Sequence, residues 1–263
     1  MSGRYRELAR TMLAGVLVLL AACASEGVQP DEVSPAARIN LNLGIAYLQK
    51  GDYQRSLDKF QRALEEAPDF ALAHAGIAVL YERIRDLDQA ETHFRRALEL
   101  DPDAAQIHNN FGAYLCRRGR VDEALAEFEA AAGNHLYKTP EKPYTNAGLC
   151  VLKIPDTARA EAYFRSALEA NPRYAPALWE MARLSFASGE ALRARAYLQR
   201  LHEVSAPTPD SLWLSIRVER ALGDLDTAAS QALLLRSRFP GSEQARLAAD
   251  MDEAARGREG ARP

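Results

Sequence analysis

The chain has 263 residues, 48% of them apolar and 26% charged, with a formal net charge of −3. That balance excludes a disordered chain, and 15 Gly with 13 Pro exclude collagen-like and low-complexity sequence. A pI near 6.0 speaks against a nucleic-acid partner, which calls for a basic face. Three Cys, none in a C-x-x-C pair, cannot form a Cys-rich tetrahedral zinc site.

The N-terminus reads as an address. Arg4, Arg6 and Arg10 precede an apolar run from Met12 to Leu20. That run is too short for a bilayer core, which takes about 20 helical residues, and it fits a secretory signal peptide over 1–22. Leu20-Ala21-Ala22-Cys23 resembles a bacterial lipobox, which implies lipidation of Cys23 and its exposure as the mature N-terminus. Each buried acyl CH₂ contributes roughly 0.8 kcal/mol, so two or three chains hold a protein stably on a membrane. Ala24 follows the Cys where an inner-membrane lipoprotein often carries Asp, so the resemblance implies the periplasmic face of the outer membrane. Residues 23–36, with Pro30 and Pro35 and no apolar periodicity, are expected to be a tether.

From residue 37 the chain repeats. Gly44, Ala78, Gly112, Gly148, Ala182 and Ile216 are spaced by 34, 34, 36, 34 and 34 residues. Twelve residues on come Ser56, Ala90, Ala124, Ala160, Ala194 and Ala228; four further, Phe60, Phe94, Phe128, Phe164, Leu198 and Ala232. Pro68, Pro102, Pro172 and Pro240 close four units. The pattern resembles the tetratricopeptide repeat, a 34-residue helix–turn–helix, in six units: 37–70, 71–104, 105–138, 141–174, 175–208 and 209–242. It predicts an all-α fold, a right-handed superhelix or α-solenoid. Small residues allow the two helices of a unit to approach, and the Phe fills the space to the next unit. Turns are expected at Gly51-Asp52, Gly119-Arg120, Pro155-Asp156, Gly189-Glu190 and Gly223-Asp224, where Gly suits a helix end and Asp a helix start. Residues 243–256 are expected to form a capping helix and 257–263 a tail.

No catalytic constellation appears, and no cofactor is expected. His74 and His108 share the fourth position of consecutive units; without a third ligand in register they read as packing residues, not a metal site. In such a solenoid the first helices line the concave face. Its sixth positions include Asn42, Asn110 and Asn146, whose amides can pair with a peptide backbone or brace a neighbouring helix. Leu41, Ile45 and Leu48 make one end of the groove apolar, while Trp179 with Arg183 and Trp213 with Arg217 mark the other. Those residue types are enriched at interface hot spots, although the Trp pair is equally suited to inter-helix packing. Cys116 and Cys150 fall at similar heights on adjacent first helices, beside an insert near 134–144. In an oxidising compartment they are expected to form a disulfide, the alternative being two buried thiols.

The stretch 109–150, with its Asn109-Asn110, Leu115-Cys116, Leu136-Tyr137 and Asn146-Ala147-Gly148-Leu149-Cys150, resembles the type IV pilus biogenesis and stability lipoproteins, the PilW/PilF group. The resemblance implies a non-enzymatic outer-membrane scaffold whose protein partner is the pilus secretin or another pilus-assembly protein. Its role would be that of a pilotin or of a pilus-stability factor. The other reading of the residues is a lipid-anchored adaptor for a different envelope machine, in cell-wall synthesis or secretion.

Overall fold

The computed structural model describes residues 33–259, so the signal peptide, Cys23 and most of the tether lie outside the described residues. Among these residues there are thirteen helices and no strand: α1 Pro35–Gln49, α2 Tyr53–Glu66, α3 Ala71–Arg83, α4 Leu87–Leu100, α5 Ala105–Arg117, α6 Val121–Gly133, α7 Glu141–Val151, α8 Thr157–Ala170, α9 Ala175–Ala187, α10 Ala191–Val204, α11 Pro209–Ala221, α12 Leu225–Arg238 and α13 Glu243–Glu259. Successive pairs form helical hairpins, and each hairpin packs its second helix on the first helix of the next. The result is an all-α tetratricopeptide-repeat superhelix.

Helix ends follow local chemistry. α1 starts at Pro35, inside the segment expected as tether, because Ser34 Oγ accepts from Ala37 N at 3.0 Å and Pro occupies the first turn, where its missing N–H costs nothing. Asp52, Asp86, Asp156 and Asp224 cap α2, α4, α8 and α12 by accepting a backbone N–H three residues on. Gly51, Gly119, Gly189 and Gly223 turn with φ of 76° to 80°; unit 2 makes the same turn with Arg85 at φ 69°, a left-handed conformation that costs an L-residue about 1–2 kcal/mol. The last helix, α13, continues to Glu259 rather than ending at 256, and packs on α11 and α12 through Ala245 and Ala248.

The core is a ladder of rings against small residues. Phe60, Phe94, Phe128 and Phe164 are fully buried. A Cβ added at Gly44 would lie 2.5 Å from Phe60, and one at Gly148 2.6 Å from Phe164, so these glycines are places where a ring meets bare backbone. In unit 6 the two partners trade size: Ile216 stands at the small position and Ala232 at the ring position, and both are buried in the C-terminal cluster. This volume-conserving exchange explains how a unit without Gly and Phe at these two positions still packs.

Cys116 on α5 and Cys150 on α7 are joined by a disulfide, with their Cα atoms 5.7 Å apart. Lys153 Nζ ties the same two units by donating to Cys116 O at 2.8 Å. The insert is pinned rather than loose: Asn134 Nδ2 donates to Asp103 O at 2.7 Å, and its Oδ1 accepts from Leu136 N at 2.8 Å.

Two outcomes follow from this packing. Gly148→Ala should lower stability by about 1–3 kcal/mol, the usual cost of overpacking, outweighing the ~1 kcal/mol that Ala gains over Gly in a helix; denaturant melts check it. Reducing the disulfide should cost about 3–4 kcal/mol for a loop of this size, and hydrogen exchange should show the loss in units 3 and 4 first, since repeats couple to neighbours.

Candidate functional site

Two cavities lie near the N-terminal end, one along the first helices and one at the hairpin turns. The first, of about 450 Å³, is lined by Leu41, Asn42, Ile45 and Leu48 of α1, Ala75, Gly76 and Val79 of α3, and Gln106, Ile107 and Asn110 of α5, among others. It gathers the apolar residues expected there, with side-chain amides along its rim. Asn146 stands apart from it: its Nδ2 donates to Asn109 Oδ1 at 2.9 Å, so the third member of the expected row is spent on bracing α7 against α5.

The C-terminal end differs from the sequence reading. The cavity there, about 570 Å³, brings together Arg183 and Arg217 with Phe186, Leu184, Leu214 and Glu180, but neither Trp lines it. Trp179 packs on the central core and carries the Arg183 guanidinium over its ring, the guanidinium carbon 6.0 Å from the centroid, while Trp213 packs on the C-terminal cluster. The ring that serves Arg217 is Phe186, with the guanidinium carbon 4.8 Å from its centroid. Arg183 Nη1 also donates to Glu180 Oε2 at 2.8 Å; burial pushes that carboxyl above its ordinary range, with Arg183 opposing the shift.

The histidines have partners that their spacing did not disclose, on the second helix of the same hairpin. His108 lies with Nδ1 2.6 Å from Glu127 Oε2 and Nε2 2.8 Å from Pro102 O. Both neighbours only accept, so the ring donates from both nitrogens as an imidazolium, and the Glu127 hydrogen bond raises its pKa above the ordinary 6.5. In unit 2 His74 Nδ1 meets His93 Nδ1 at 3.1 Å, while His74 Nε2 lies 3.3 Å from Pro68 O. His74 therefore donates to the carbonyl and accepts from His93, a neutral pair with Tyr81 stacked on His93. Burial lowers both pKa values, with Arg96 further disfavouring charge on His74 and Asp69 opposing it. Among the described residues no three His, Cys, Asp or Glu side chains converge as a metal would require. Nor is any helix among them long and apolar enough to cross a membrane.

The helix that walls the apolar cavity also carries an uncovered apolar surface. In units 2–6 the third and seventh positions are all buried: Ala73 and Ile77, Ile107 and Phe111, Pro143 and Ala147, Ala177 and Met181, Ser211 and Ser215. The preceding second helix covers them, as Phe94 does by stacking on Phe111 at 5.2 Å. In unit 1 the corresponding Ile39 and Leu43 remain 59% and 41% exposed.

The fold and this groove define a tetratricopeptide-repeat protein, and profiles described as tetratricopeptide repeat match residues 47–115, 156–217 and 21–71. The type IV pilus assembly protein PilF of Pseudomonas aeruginosa is 32% identical over 241 residues, covering 88% of this chain and 96% of that protein. The crystal structure of PilW, described as a widely conserved type IV pilus biogenesis factor, is 31% identical with a TM-score of 0.69, covering 81% of this chain and 98% of that one. The structure of P. aeruginosa PilF gives 32% and 0.70, covering 80% and 95%. The chain belongs to the PilF/PilW family of tetratricopeptide-repeat proteins, which are adaptors and not enzymes.

The histidines set a pH dependence of stability with two limbs. The contribution of His108 is complete below the unfolded-state pKa of about 6.5 and is lost as pH rises through its higher folded value. That of His74 and His93 is present at neutral pH and is lost as pH falls below about 6.5 towards their lower folded values. Thermal melts between pH 5 and 8 should show His108→Gln flattening the alkaline limb and His93→Gln flattening part of the acid limb.

Proposed function

We propose that this protein is an outer-membrane lipoprotein, anchored through Cys23 on the periplasmic side, that binds a segment of another type IV pilus-assembly protein. In its most specific form the reading makes it a pilotin, which helps the pilus secretin reach the outer membrane and assemble; pilus stabilisation is the coarser form. The lipobox and the PilF/PilW relationship support the setting. The observation that carries the binding role is the apolar cavity walled by Leu41, Ile45 and Leu48, together with Ile39 and Leu43 of the same helix, which stand exposed with no covering helix among the described residues. Exposed apolar surface of this kind marks an interaction site, and a terminal repeat exposed only to water is expected to have a polar outer face.

The test uses paired substitutions at exposed positions. Leu43→Glu with Ile45→Glu should leave the melting temperature within a degree or two. Co-purification with the pilus secretin should fall at least tenfold, about 1.4 kcal/mol, and surface pili should be lost. Normal piliation and normal secretin multimers in that variant would overturn the reading. Cys23→Ala should yield an unlipidated protein that leaves the outer-membrane fraction; retention there at full yield would remove the anchor from the account.

A further inference from the structure

The second cavity, about 460 Å³, lies at the hairpin turns and is lined by Tyr53, Val79, Glu82, Leu87 and four arginines, Arg83, Arg85, Arg117 and Arg118. Its single carboxylate is already committed: Glu82 Oε2 accepts from Arg117 Nη2 at 2.7 Å, and the other oxygen accepts from Nε of the same arginine. Arg83, Arg85 and Arg118 make no ion pair and no side-chain hydrogen bond among the described residues. Other arginines of the solenoid have carboxylate partners, as Arg55 has in Asp52, Arg95 in Glu91, Arg120 in Glu91 and Glu123, Arg165 in Glu161, and Arg193 in Glu161 and Glu190. A net-negative protein thus concentrates three uncompensated cations in one cavity.

Two of them, Arg83 and Arg118, stand at first-helix C-termini, where cations suit the helix dipole. Arg85 does not fit that account. It lies beyond the helix, at the turn where units 1, 3, 5 and 6 use glycine, and it holds a left-handed backbone to do so. A charge kept at a backbone cost points to use of the charge.

The position of the cavity says what it would take. Val79 and Arg83 line both this cavity and the apolar groove, so the two are one continuous track. A ligand lying in it meets apolar side chains and the amides of Asn42 and Asn110 first, then the arginines. Amides suit a peptide backbone, and guanidinium groups suit carboxylates in paired, planar hydrogen bonds. We propose that the occupant is an extended protein segment in which apolar residues are followed by a cluster of Asp or Glu, and that Arg83, Arg85 and Arg118 select it by those carboxylates. This inference rests on the reading above that the apolar groove holds a partner segment, and adds the chemistry of that segment.

Site-specific photo-crosslinking of the full-length lipidated protein in piliated cells tests it. A photo-reactive residue replaces either Ile45, in the apolar part, or Tyr53, in the basic part. The expected result is the same pilus-assembly protein trapped from both sites, with at least two Asp or Glu within four residues of the point attached at position 53. Arg83→Glu with Arg118→Glu should then cut trapping at 53 at least tenfold. Arg85→Gly should cut it about threefold while raising the melting temperature, so that misfolding cannot account for the loss. Trapping at 45 together with nothing, a phospholipid or a carboxylate-free segment at 53 would overturn this inference and leave the proposed function standing. No pilus protein at either site would overturn both.

Discussion

Everything in this solenoid depends on a ring seated against bare backbone. Phe60 occupies the space that a Cβ on Gly44 would need, and its far edge occupies the space beside Gly76 of the next unit. One side chain thus sets both the separation of two helices within a hairpin and the seat of the following hairpin. Because packed interiors tolerate neither voids nor overlap, the same seat recurs at Gly112 against Phe128 and at Gly148 against Phe164. Where the ring is absent, as at Ala232, the facing residue grows to Ile216, which preserves the distance by other means.

The same rule explains what was legible in the sequence. Positions that repeat every 34 residues report contacts that every unit makes, so Phe94, Ala90 and the Gly-Asp turns could be placed on their helices before any coordinates. So could the adjacency of Cys116 and Cys150, since both are first-helix residues one unit apart. Contacts made once leave no periodic trace. His93 and Glu127 hold equivalent positions on successive second helices, but nothing in their residue types says that one faces a histidine as a neutral partner and the other as an anion. Asn146 shares a register with Asn42 and Asn110 and yet turns to Asn109, an acceptor that the equivalent Ala75 of unit 2 cannot offer Asn110. The expected pairing of Trp179 with Arg183 is present, but Arg217 lies over Phe186 and not over Trp213, because which ring a guanidinium reaches depends on packing between units.

The concave surface is divided by chemistry rather than uniform along its length. Near α1 it is apolar with amides, by the second and third units it becomes cationic, and towards α11 it pairs Arg217 with an aromatic face and Arg183 with a buried carboxylate. A groove of this kind has direction: a segment laid in it one way satisfies each stretch, and reversed it strands charges against apolar walls. That gives orientation selectivity along the track.

The two ends of the stack also differ, since α13 closes one and nothing among the described residues closes the other. In mechanical terms the solenoid is a zipper with a stop at its C-terminal end. Tension entering through the N-terminal segment acts first on α1, and would peel hairpins in order until it reached the covalent clasp between α5 and α7. A partner seated over unit 1 adds the missing neighbour at the point where the load arrives, so occupancy and resistance to pulling rise together.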